Sequence, residues 1–123
     1  SRLLKKVNGI VHPAVFENFN QWFGNQSVPY VILEAAILFE SGASKLVDRT
    51  ITVIAPLEER VERVIRRNRL TYEQVMDRIR NQMDDESKIR QSDYVIMNSE
   101  QDMIIPEVLR IHNDILKLAK GKR

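Results

Sequence analysis

The stretch PLEERVERVIRRN, residues 56–68, gathers side chains suited to phosphate. Wound as a helix at about 100° per residue, it puts Arg60, Arg63 and Arg67 on one stripe beside the apolar face, and Glu58, Glu59 and Glu62 on the other flank. Glu59 precedes Arg63, and Glu62 precedes Arg66, at the four-residue spacing that supports a helix. Arg60 and Arg67 have no acid at that spacing. Guanidinium groups stay ionised and present paired donors, so a partly neutralised arginine stripe is suited to phosphate. The same pattern also reads as a solvated basic face.

Two acids pose the complementary question. In YVILEAAILFESG, residues 30–42, Glu34 interrupts an apolar run and Glu40 stands near its far end. Burying an unpaired carboxylate costs roughly several kcal/mol. In open parallel sheets ligands bind beyond the carboxyl ends of the strands. Glu34 therefore reads either as an active-site carboxylate, of the kind that helps hold Mg²⁺ in nucleotide-binding α/β proteins, or as a strand terminator paired with an arginine. His12, at a helix N-cap before Pro13, reads as shaping a turn rather than as a general base. His112 falls on the inner side of the last helix, and the two histidines make no metal pattern. Trp22 and its neighbouring phenylalanines read as a packing stripe. There is no glycine-rich phosphate loop, because Gly9, Gly24, Gly42 and Gly121 are scattered.

The elements that must position these groups follow from local pattern. HPAVFENFNQWFG has helical spacing, with Pro13 tolerated in a first turn and Gly24 as a stop. VPYVIL, RTITVIA and SDYVIMN read as three short strands, apolar without alternation, as strands covered on both faces are. Between them Pro56 opens one helix, and Thr71 with Gln74 forms a capping box that opens another. A helix from about Asp102 to Ala119 closes the fold before a frayed basic tail, KGKR. Strands alternating with helices predict an α/β fold with a parallel sheet. Three strands are few for a sheet buried on both faces, so at least one strand looks missing.

The chain has 123 residues, enough for one domain. It contains no cysteine, which removes disulfide scaffolds, thiolate nucleophiles and cysteine zinc sites, and fits a reducing compartment. No apolar run is long enough for a bilayer and no signal peptide opens the chain, so cytoplasm is the expected location. The net charge of +2, from 19 basic and 17 acidic side chains, does not argue for nucleic acid. Nothing in the pattern specifies an oligomeric state.

Taken in order, these segments resemble the dephospho-coenzyme A kinase family over nearly the whole chain. VNGIVHPAV is similar to the family's Asn-x-x-x-His-Pro-x-Val stretch, and YVILEAAILFESG to its strand and acidic Leu-Leu-Phe-Glu segment. Arg63 and Arg67 fall on its Arg-x-x-x-Arg, Arg78 to Gln82 on its Arg-Ile-x-x-Gln, and Lys88 on its lysine. Ser92 to Asn98 fall on its Ala-Asp-x-Val-Ile-x-Asn, with serine for the usual alanine. The resemblance implies a P-loop kinase fold like that of nucleoside monophosphate kinases, three-layered with flanking helices but incomplete. It would be a single partial kinase domain over 1–123, with a mobile lid and its support over about 56–90.

It further implies transfer of the ATP γ-phosphate, with Mg²⁺, to the ribose 3′-hydroxyl of dephospho-coenzyme A, the last step of coenzyme A synthesis. Arg67 and Arg63 would meet ATP phosphates when the lid closes, with Arg78, Gln82 and Lys88 as further lid candidates. Asn98 would lie near the nucleotide, while His12, Glu34 and Glu40 would face the acceptor. The family's P-loop and the acids after it have no counterpart in this sequence, so the chain as given is expected to be inactive alone. Two other readings are a different small-molecule P-loop kinase, and a non-catalytic module whose arginine-rich helices contact RNA or an acidic partner.

Overall fold

A computed structural model describes residues 2–121, which divide into two compact units: residues up to Ala36 together with those from Leu116, and Ile37–Ile115. The last two residues of the expected basic tail lie outside the described residues, and Lys120 and Gly121 are helical.

In the first unit, helix α1 runs from Arg2 to Gly24 with Pro13 inside it. The expected start at His12 and Pro13 is therefore corrected. Leu3, Leu4, Val7, Ile10 and Val11 already carry helical apolar spacing upstream of the proline, so the periodic stripe begins ten residues before Pro13. Pro13 leaves the Gly9 carbonyl without its helical N–H partner. At the far end, Phe19 packs on Trp22 and Phe23 with ring centroids 5.9 and 6.3 Å apart. The Trp22 carbonyl accepts from the Asn25 N–H and the Gln26 side chain, which closes the helix.

Residues 30–35 that follow lie outside any helix or strand, so among the described residues the sheet has two strands rather than the expected three. A parallel strand exists only through a laterally bonded neighbour and cover on its faces. This segment joins no ladder, and its Ile32 is 73% exposed.

The second unit opens with turns through residues 37–42. Gly42 takes φ +81°, a left-handed conformation that a side chain would strain, and a short 3₁₀ turn, Ala43–Leu46, follows. Strand β1, Ile51–Ile54, lies parallel to β2, Tyr94–Met97, with Ile51 opposite Tyr94 and Ile54 opposite Met97. The ladder is fastened at both ends. The Tyr94 N–H donates to the Thr50 carbonyl at 3.0 Å, and the Asn98 N–H to the Ile54 carbonyl at 2.7 Å. Ahead of the strands, Asp93 Oδ2 accepts from the Thr50 N–H and hydroxyl at 2.8 and 3.1 Å, and the Asp93 N–H returns a bond to Thr50 Oγ1 at 3.1 Å.

The crossover between the strands contains three helices. Helix α2, Leu57–Asn68, follows Pro56 and carries Glu58 and Glu59 in its first turn, where negative charge suits the helix dipole. It ends on Arg69 at φ 52°, a left-handed cap without a glycine. Helix α3, Tyr72–Arg80, begins on the expected capping box. Thr71 Oγ1 accepts from the Gln74 N–H at 3.2 Å and Gln74 Oε1 from the Thr71 N–H at 2.9 Å.

Helix α4, Asp85–Gln91, starts at Asp84, whose carboxylate accepts from the Ser87 N–H at 2.8 Å and the Ser87 hydroxyl at 3.2 Å. These bonds, the backbone one first, hold the Asp84 carboxyl below its ordinary value. Helix α5, Ile105–Gly121, closes the chain. Val61 of α2, Val75 of α3, Ile96 of β2 and Ile111 of α5 are buried, as is Ala43. The fold is thus α/β, a parallel sheet with flanking helices. No described helix is long and apolar enough to cross a membrane.

Candidate functional site

The carboxyl end of β2 is where a parallel sheet offers a binding crevice, and the base of α2 is fastened to it. Arg63 Nη1 donates to the Asn98 carbonyl at 3.1 Å, and its Nη2 donates to Glu59 Oε2 at 3.3 Å. Glu59 Oε2 also accepts the Glu100 N–H at 3.3 Å. The Arg63 and Glu59 side chains are 39% and 26% exposed, so this arrangement is partly shielded from water.

The turn after β2 is ordered by its own polar groups. Asp102 Oδ2 accepts from the Ser99 hydroxyl at 2.7 Å and the Ser99 N–H at 3.3 Å. Ser99 Oγ accepts the Gln101 N–H at 3.3 Å, and the Ser99 carbonyl the Asp102 N–H at 3.2 Å.

About 6 Å further along the axis of α2, one turn past Arg63, Arg67 is exposed. Among the described residues its one side-chain hydrogen bond is Nε to Asn68 Oδ1 at 3.3 Å. Its terminal nitrogens remain available to an anion. Arg60, on the same stripe, is instead committed: Nη1 meets Asp85 Oδ1 at 3.0 Å and ties α2 to α4, while its Nε is buried with no partner among the described residues. Arg66 pairs with Glu62, the local support that the spacing predicts.

Of the residues nominated from sequence, the structure brings Arg63 and Asn98 into direct contact and keeps Arg67 on the same helix. Arg78 lies on α3, exposed, and its side chain makes no hydrogen bond or ion pair among the described residues. Gln82, also exposed, follows that helix and donates its N–H to the Ile79 carbonyl at 3.1 Å. Lys88 is half-buried on α4, and its carbonyl accepts the Ser92 hydroxyl at 2.6 Å.

Glu40, in the second unit, is exposed and accepts the Met83 N–H at 3.4 Å, which joins the 37–42 turn to the segment before α4. His12 and Glu34 belong to the first unit. His12 sits mid-way along α1 with its ring 6.2 Å from that of Phe16. Glu34 is exposed, its carboxylate without a hydrogen bond or ion pair among the described residues, so no burial cost arises.

Glu59 and Glu100 were not singled out by sequence. The Glu59–Arg63 spacing was visible, but the partner 41 residues away was not, because nothing local marks which backbone N–H an acid will reach.

A sequence model described as dephospho-CoA kinase matches residues 2–103. A Bacteroides fragilis protein named dephospho-CoA kinase is 46% identical over 107 residues, covering 86% of this chain and 52% of that protein. A Porphyromonas gingivalis protein of the same name is 36% identical over 110 residues, covering 89% and 54%. A crystal structure from Thermus thermophilus superposes with a TM-score of 0.82 at 34% identity, covering 90% of this chain and 58% of that one. The chain spans about half the length of the curated relatives it matches.

Proposed function

The chain belongs to the dephospho-CoA kinase family, and from that premise we propose that it supplies the lid and the nucleotide-facing part of a phosphotransferase. This enzyme passes the γ-phosphoryl group of ATP to the ribose 3′-hydroxyl of dephospho-coenzyme A. The observation that carries the reading is Arg67: an exposed guanidinium with free terminal nitrogens, on a helix whose base is fastened to the carboxyl end of a parallel strand. Phosphoryl transfer asks the protein chiefly for positioning and for charge against the spreading negative charge of the phosphoryl oxygens. Arg67 provides that charge. Arg63, engaged by Glu59 and the Asn98 carbonyl, anchors the helix from which Arg67 reaches.

Arg78, Gln82 and Lys88 offer further donors on the same lid, over about 56–90, whose closing would exclude water. Asn98 stands at the nucleotide, and His12, Glu34 and Glu40 are assigned to the acceptor side. Mg²⁺ enters this reading as the companion of ATP. Among the described residues no group of three His, Cys, Asp or Glu side chains is placed to hold a metal, and Mg²⁺ at kinase sites is held largely by substrate phosphates with one or two carboxylates. A cytoplasmic location accords with this chemistry.

The test is steady-state phosphorylation of dephospho-coenzyme A by ATP with this chain joined to the family's P-loop segment. Arg67→Ala should lower kcat on the order of a hundredfold, while stability shifts by no more than about 0.5 kcal/mol, as for other exposed side chains. Equal losses of turnover and stability would make Arg67 structural. A wild-type protein that binds ATP yet leaves dephospho-coenzyme A unmodified would remove the proposed reaction.

A further inference from the structure

One carboxylate oxygen, Glu59 Oε2, accepts both from Arg63 and from the Glu100 N–H, while Arg63 reaches the Asn98 carbonyl. The four groups close a ring between the first turns of α2 and the turn after β2. Within that turn the N–H groups of Ser99, Gln101 and Asp102 donate to partners inside residues 99–102, and the Glu100 N–H alone donates outward, to Glu59. Glu59 is therefore the side chain that fixes the turn against the helix carrying Arg67. All four consecutive N–H groups are occupied, so the turn has no free amide to give a phosphate.

We infer that Glu59 is a positioning residue for an adenine nucleotide, setting through Arg63 and the Glu100 N–H the separation between the turn that meets the base and the arginine that meets the phosphates. This inference rests on the proposed kinase reading. Its chemistry is mechanical: a nucleotide that must touch both ends binds well only when their separation is held before it arrives, because ordering them on binding costs affinity. Glu59 does not itself contact the nucleotide.

The experiment measures ATP affinity by calorimetry and the KM for ATP, the KM for dephospho-coenzyme A and kcat in this chain joined to the family's P-loop segment. Glu59→Ala should weaken ATP binding about tenfold through loss of a charged acceptor shared by two donors, with the KM for dephospho-coenzyme A within about twofold. Glu59→Gln keeps one acceptor oxygen and should weaken ATP binding about threefold. Because Glu59 acts partly through Arg63, the Glu59→Ala/Arg63→Ala double variant should lose less than the product of the two single losses.

A lower melting temperature with unchanged ATP affinity in both Glu59 variants would overturn the inference, as would fully multiplicative losses in the double variant. If the wild type binds ATP without phosphorylating dephospho-coenzyme A, the proposed function fails. The Glu59 inference is then still decided by the calorimetric affinities.

Discussion

Removing the Asp93 carboxylate should loosen the start of the sheet. Asp93 Oδ2 takes two bonds from Thr50, at 2.8 Å from the N–H and 3.1 Å from the hydroxyl. Thr50 is only 8% exposed, so in Asp93→Ala water can replace these bonds only in part. An orphaned buried donor costs about 1–3 kcal/mol, and bonds to a charged acceptor sit in the upper half of that range. Two donors losing one exposed acceptor, with some relief from solvent, give about 2–4 kcal/mol. Asp93→Asn retains one acceptor oxygen and should lose about half as much.

The measurement is urea unfolding of the full chain. An m-value of roughly 1–3 kcal/mol/M places the midpoint about 0.7–4 M lower for Asp93→Ala. Hydrogen exchange should speed up at the Tyr94 and Asn98 amides, which tie the two ends of the ladder. A loss below about 0.5 kcal/mol, with both amides as protected as before, would show that the Thr50–Asp93 bonds do not hold the strands in register.

Arg69 caps α2 at φ 52°, where a side chain costs roughly 1–2 kcal/mol. Arg69→Gly should therefore raise stability by about 0.5–1 kcal/mol in urea titration, and a decrease would mean that the arginine side chain contributes more than its backbone strain costs. Asp84 has a lowered carboxyl pKa in the fold, so its contribution is fully present above the ordinary value of 3.8 and disappears as pH falls through the lowered one. Asp84→Asn keeps a capping oxygen but cannot titrate. Its melting temperature should decline less steeply than that of the wild type below pH 3.8, and parallel curves would contradict the assignment.

Helices α2, α3 and α5 and strands β1 and β2 were legible because each carries a complete local signal: a proline opening, a capping box, an apolar stripe or a β-branched run. Helix α4 was not. DESKIRQ is short and charged, with no stripe to reveal it, and only the Asp84 and Ser87 pair marks its start. At Pro13 a true helix stretch was divided because a proline reads as a beginning. VPYVIL had the composition of a strand, but composition does not supply the neighbour that makes one. In the site, the arginine stripe was visible and its sorting was not. Periodicity treats Arg60, Arg63 and Arg67 alike, whereas packing gives Arg60 to Asp85, Arg63 to Glu59 and the Asn98 carbonyl, and leaves Arg67 available.

Ser92 stands where the family's motif has alanine, and its hydroxyl joins the Lys88 carbonyl of α4 to the hydroxyl of Thr52, itself buried in β1. A mutation to alanine at 92 alone would strand the Thr52 hydroxyl in the interior, whereas an apolar residue at 52 alone would leave the serine its bond to the Lys88 carbonyl. The order of change therefore matters: losing the threonine hydroxyl first leaves every remaining hydroxyl with a partner, while losing the serine hydroxyl first leaves a buried one without.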